Sequence, residues 1–162
     1  MIYLFITISI IVYFFLSNYI SYKILKKKIL NSQKWDLNIC CGKTDGKGIN
    51  ADIVKHSELP NFIQINDIYN LPFKNKTFNT VLSSHTIEHV EDPEGFFKEL
   101  KRVGENVTIV LPPLWDITAA FNIIEHKWIF ITLKKEHKTL PLYFILPFSA
   151  SVQNFFGQRM HA

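Results

Sequence analysis

Residues 2–22 contain no charged side chain and are dominated by Ile, Phe, Leu, Val and Tyr. That length matches the ~20 residues a helix needs to cross a hydrocarbon layer. Beyond it the pattern changes to short apolar runs separated by turn-forming residues. The run Leu37-Asn38-Ile39-Cys40-Cys41-Gly42 stops at glycine and predicts a buried parallel strand. Further strands are predicted at 49–53, at 62–66 after the break at Pro60, at 77–83, and at 106–111 before Pro112 and Pro113. Between the last two, Asp92 and Pro93 open a segment with Phe96, Phe97, Leu100 and Val103 at helical spacing, closed by Gly104. Strands alternating with helical or loop crossovers predict an α/β parallel sheet. Past Pro113 the chain is rich in Phe, Ile and Leu, with strands predicted at 128–133 and 142–146 and a helix at 148–156. No internal repeat or low-complexity segment is visible.

The expected organisation is a membrane-spanning helix at 1–22, a basic juxtamembrane linker at 23–35, and one domain at 36–162. Lys23, Lys26, Lys27 and Lys28 follow the apolar run, and nothing basic precedes it except the amino terminus. Basic flanks stay on the cytoplasmic side, so a single-pass protein with a cytoplasmic body is expected. A cleavable signal peptide would need a basic start, a shorter apolar core and a small-x-small site, none of which is present. A buried core helix is the other reading of the run, but a domain this small has no core able to enclose a helix apolar on every face. The net charge of +4 lies largely in the lysine cluster, which suits anionic head groups. No pattern of interleaved aromatic and arginine residues supports nucleic-acid binding. Cys40 and Cys41 are adjacent, which is poor geometry for a disulfide and lacks zinc-knuckle spacing, as expected in a reducing compartment.

The chemistry is concentrated in residues 67–90. It reads Asp67-Ile68-Tyr69-Asn70-Leu71-Pro72-Phe73, then Phe78-Asn79-Thr80-Val81, then Ser84-His85 and Glu88-His89-Val90. Together with Leu37 to Gly42 and Asn50-Ala51-Asp52, this order resembles the class I S-adenosylmethionine-dependent methyltransferases over roughly residues 37–113. The resemblance implies a Rossmann-like, mostly parallel sheet with S-adenosylmethionine as cofactor. Gly42 would supply the turn after the first strand, Asp52 the ribose contact, and Asp67 with Ile68 the adenine contacts. Asn38, Cys40, Cys41 and Ser84 complete the implied cofactor set, and the Glu-His pair would open the next helix. The chain departs from the family pattern at Asn38, where an acid is usual, at Cys40, where glycine is usual, and at Asn79, where Asp is usual. Gly42 and Asp52 are also closer than the 10–12 residues a helical crossover takes, so the first crossover helix is expected to be missing or reduced to a turn.

The same letters spell His85-x-x-Glu88-His89, an inverted zinc-peptidase motif. On a helix the two imidazoles would share one face and bind zinc, with Glu88 as base and Glu125 or Glu136 as third ligand. On the methyltransferase reading no metal is needed. His85 is then the candidate base on the acceptor side, Glu88 braces the segment, and His89 packs beneath the cofactor or holds the sheet end. His126 and His137, each within a Glu-His-Lys triplet, either line the acceptor pocket or lie on the surface. The methyl acceptor is expected to be a small molecule or lipid-like, given the anchor and the Phe-rich tail. A non-catalytic relative that has lost its cofactor site is the third alternative.

Overall fold

The structure is a computed structural model and describes residues 1–156. The last six residues of the expected domain lie outside it. Five strands form at the apolar runs: β1 (Leu37–Ile39), β2 (Ile49–Asp52), β3 (Phe62–Gln64), β4 (Phe78–Ser84) and β5 (Gly104–Val110). All pair in parallel, and a short antiparallel edge strand, β7 (Glu136–His137), follows β5, giving the order β3-β2-β1-β4-β5-β7. The strands β6 (Trp128–Phe130) and β8 (Tyr143–Ile145) pair with each other in a separate antiparallel ribbon. Both are shorter than predicted, and the sequence pattern did not reveal β7 or the single-turn α4 (Ile117–Ala120).

The helix α3 (Pro93–Val103) starts where Asp92 and Pro93 predict. Asp92 Oδ1 accepts the Gly95 N–H at 3.0 Å, and proline occupies the first turn, where a missing N–H costs nothing. Phe96, Leu100 and Val103 of α3 pack on Leu37, Ile39, Val81, Val107 and Ile109, all buried. Glu99 and Arg102 on the same helix pin the turn at Leu71-Pro72-Phe73. Glu99 accepts the Leu71 N–H at 2.7 Å, and the Arg102 guanidinium donates to the Leu71 and Phe73 carbonyls at 3.0 and 2.8 Å.

The Glu88-His89 pair does not open a helix. Residues 86–91 form turns, with the His89 N–H on the Thr86 carbonyl at 2.9 Å, because Pro93 disfavours helical geometry at Asp92 and fixes the helix start there. The helical frame on which the zinc-peptidase spacing depends is therefore absent.

Between β1 and β2 there is no helix, as the short spacing predicts. A side-chain network holds the loop instead. Asn38 donates from Nδ2 to the Thr44 carbonyl at 2.7 Å and to Asn50 Oδ1 at 3.0 Å, and Asn50 Oδ1 also accepts the Gly46 N–H at 2.9 Å. Gly46 lies so close to Asn38 that a Cβ there would sit 2.6 Å from the Asn38 Cβ. Asparagine at position 38, where an acid was expected, thus has a structural cause: both atoms facing its Nδ2 are acceptors.

The second sheet face is covered from the amino-terminal side. The apolar run is helical in α1 (Ile2–Tyr19), continues through a π-helical stretch (Ile20–Lys26), and ends in α2 (Lys27–Asn31). Residues 29–35, expected as a linker, instead bring Ile29, Leu30 and Trp35 onto Leu82 of β4 and Val110 of β5. The neighbouring residues Val81 and Ile109 face α3, as strand alternation requires.

Replacing Asn38 by Asp puts a carboxylate against two acceptors and removes both donors. The Asn38→Asp chain should lose about 1–3 kcal/mol of stability, the usual cost of leaving buried polar groups unpaired. Urea unfolding would read this as a lower midpoint, and an unchanged midpoint would contradict the network.

Candidate functional site

In an open parallel sheet, ligands bind beyond the carboxyl ends of the strands where the strand order reverses. Here that point lies between β1 and β4. At the end of β1, Cys40 and Gly42 adopt left-handed backbone, with φ of 50° and 55°, and at the end of β4 His85 does so with φ of 56°. Two non-glycine residues in this region cost roughly 1–2 kcal/mol each, and strain of this kind gathers at functional sites.

Around this point stand several of the residues singled out from the sequence. Asp52, at the end of β2, is nearly buried and accepts the Gly42 N–H on Oδ2 and the Ile53 N–H on Oδ1, each at 2.8 Å. Each carboxylate oxygen keeps a further lone pair. The Cys40 thiol is pushed far up by burial and the Asp52 carboxylate, and that of Cys41 up to about 12 by the same two causes, so both stay protonated. Ser84 Oγ, at the end of β4, is buried without a hydrogen-bond partner among the described residues. Asp67 is exposed and accepts the Tyr69 N–H at 2.8 Å, while Ile68 packs on the core. Asn38 has its amide turned into the loop and does not face this crevice.

Next to the crevice, Glu88 is the centre of a buried polar group. His85 Nδ1 lies 3.2 Å from Glu88 Oε1 and 3.2 Å from the Tyr22 hydroxyl, and its ring stacks on Tyr22 at 4.6 Å between centroids. Burial holds His85 well below the ordinary imidazole range, so it is neutral near pH 7. Burial alone would raise Glu88, but the His85 contact and the neighbouring imidazoles of His126 and His89 outweigh it and keep the carboxyl ionised. An ionised carboxylate beside Nδ1 fixes the proton of neutral His85 there, so Nε2 carries the lone pair. That Nε2 is buried without a partner among the described residues.

Lys135 completes the group. Its ammonium donates to Ser21 Oγ at 2.7 Å and sits 4.7 Å from the centre of the Tyr22 ring. Neither Tyr22 nor Lys135 was identified from the sequence, because Tyr22 is the last residue of the apolar run and Lys135 one of a lysine pair. No local pattern marks either.

A parallel β3-β2-β1-β4-β5 order that reverses between β1 and β4 defines a Rossmann-like α/β sheet. Residues 45–107, less than half of the chain, match the methyltransferase-domain family. Over that stretch the chain is similar to methyltransferase domains, and the strand order is compatible with such a domain. Over 40 residues the chain is 49% identical to norajmaline N-methyltransferase of Rauvolfia serpentina, covering 25% of this chain and 14% of the plant enzyme. A possible histamine N-methyltransferase of Thermotoga maritima is 20% identical with a TM-score of 0.40, over 54% of this chain and 48% of that one. A protein of Pyrococcus horikoshii is 17% identical with a TM-score of 0.42, over 88% and 81% of the two chains. The chain thus spans half or less of the first two relatives.

Lys135 gives the site a pH signature. Burial pushes it down to about 7 from an ordinary 10.5, against the attraction of Glu88 and Asp116 and with the repulsion of Lys26. Between those values the unfolded chain binds a proton that the folded chain does not, so stability should rise with pH from about 7 toward 10.5. In Lys135→Met the rise should be smaller. Parallel curves of denaturation midpoint against pH for the two chains would contradict this.

Proposed function

We propose that this chain is a membrane-anchored, S-adenosylmethionine-dependent methyltransferase whose acceptor side is closed by its own amino-terminal helix. The carrying observation is the stacking of Tyr22 on His85 at the carboxyl end of β4. The residues at the strand ends fit the cofactor. The left-handed turn at Cys40 to Gly42 permits close backbone approach, Asp52 retains acceptor capacity for ribose hydroxyls, and Ser84 Oγ awaits a partner. In this reading Asp67 and Ile68 meet the adenine, Cys40 and Cys41 wall the crevice as inert small residues, and Asn38 contributes by holding the loop. When bound, S-adenosylmethionine supplies a methyl group already activated by its sulfonium.

The protein's part is to orient the acceptor, exclude water and remove a proton where the acceptor is a hydroxyl or protonated amine. Neutral His85 suits that task, since its Nε2 lone pair is free and Glu88 stabilises the imidazolium formed on proton transfer. The acceptor is inferred to be apolar, because Tyr22 belongs to the apolar helix and Ile117, Phe121, Ile123 and Ile124 expose a neighbouring apolar surface. The helix at Ile2–Asn31 has a mean hydropathy of 1.9, long and apolar enough to cross a membrane. Its hydrogen bonds to the body begin at Tyr13, whose hydroxyl donates to the Trp115 carbonyl at 2.7 Å. The exposed Lys23, Lys27 and Lys28 favour the cytoplasmic face.

Two variants test the assignment in the full chain held in detergent. Asp52→Ala should weaken S-adenosylmethionine binding by about 1.5–3 kcal/mol in calorimetric titration. Equal affinity would remove Asp52 as the ribose ligand. His85→Ala should lower transfer of labelled methyl into a lipid extract while leaving cofactor affinity nearly intact, because a base acts in the chemical step. Cofactor binding with no transfer by the parent chain would favour the non-catalytic relative.

A further inference from the structure

Folding brings together a donor set that differs from the one spelled by the sequence. One carboxylate oxygen of Glu88, one nitrogen of His89 and one nitrogen of His126 lie within 4.8 Å of one another. His85, the first residue of the linear motif, is outside this set.

Three features show the donors to be prepared for a ligand. Glu88 is fully buried; its Oε1 faces His85 Nδ1 at 3.2 Å, and its Oε2 has no hydrogen-bond partner among the described residues. His126 is nearly buried, and its Nδ1 is likewise unpartnered. His89 is oriented from behind. Its Nδ1 lies 2.9 Å from the Glu125 carbonyl oxygen, which can only accept, so Nδ1 donates and Nε2 carries the lone pair. A ligating imidazole usually donates its other N–H to a carbonyl or carboxylate in this way. The two segments that carry the donors are locked together, since the Glu88 carbonyl accepts the N–H groups of Lys127 and Trp128 at 2.8 and 3.2 Å.

We propose that Glu88, His89 and His126 bind one divalent transition-metal ion of the zinc class. Two imidazoles and a carboxylate are the donor set of a zinc site that keeps a fourth position open. Magnesium or calcium would instead require mostly oxygen donors. Ligands at about 2.0–2.2 Å from a tetrahedral ion stand roughly 3.4 Å apart, so closing a cluster whose donors lie within 4.8 Å takes a contraction of at most about 1.4 Å. The ion neutralises the buried Glu88 charge and clamps the turn after β4 to the segment before β6, beside His85. Half-buried His89 is the side from which it enters. Glu88 is here a ligand, whereas the linear motif would make it a base.

The test is metal content, which is read independently of methyl transfer. The full chain in detergent is stripped with chelator, dialysed against Zn2+ and counted by mass spectrometry. One zinc per chain is expected, with affinity at least tenfold weaker in Glu88→Gln and in His126→Gln and unchanged in His56→Gln. Should those variants fail to fold, the parent chain decides. Bound zinc should shield half-buried His89, but not His56, from acylation by diethyl pyrocarbonate. Substoichiometric zinc, zinc retained in both ligand variants, or equal acylation of His89 with and without metal would overturn the proposal.

Discussion

The cover over the second face of the sheet is the constraint on which the other features depend. A parallel sheet is stable only with both faces buried, and helices between strands normally provide this. The connection from β1 to β2 carries no helix, so Leu82 and Val110 would face solvent on the side opposite α3. Ile29, Leu30 and Trp35 occupy that side. Burying a side chain of this size stabilises by about 1.5–3 kcal/mol, so the amino-terminal segment is a structural part of the domain.

The chemistry of the site follows from the same packing. A helix ending on Leu82 and Val110 passes its preceding turns along the carboxyl end of β4, which sets Tyr22 against His85 and Ser21 against Lys135. The short connection also explains the departures from the family pattern on β1. With no helix to hold the loop, the amide of Asn38 ties it to Thr44 and Asn50, and Asp52 fastens the Gly42 turn. Cys40 tolerates a left-handed backbone within this framework at the cost of some strain.

Much of the fold was legible because buried parallel strands write themselves as short apolar runs ending at Gly or Pro. The five central strands, α3 with its Asp92-Pro93 start and the missing first crossover helix all came from such signals. The end of the chain was harder to read. A two-residue edge strand such as β7 and a single-turn helix such as α4 are too short to set a period. The turn at Glu88 and His89 departs from the helix start that the family resemblance implied, because Pro93 sets the start later, as the Asp92-Pro93 signal had indicated. Of the site, Asp52, Ser84 and His85 come to the strand ends by virtue of the strands that precede them. Tyr22, Lys135 and His126 join them through contacts spanning tens of residues or more, which no local pattern encodes. Nor did the lysines after the apolar run show that the next residues, Ile29 and Leu30, were core.

Hydrogen exchange of the full chain, read by mass spectrometry peptide by peptide, measures directly whether that segment belongs to the domain. If it seals the sheet, backbone amides of residues 29–31 should exchange in step with those of β4 and β5, since groups in one cooperative unit open together. Free exchange at residues 29–31 beside a protected sheet would mean a tethering linker, and would contradict both the cover over Leu82 and Val110 and the placement of Tyr22 at His85.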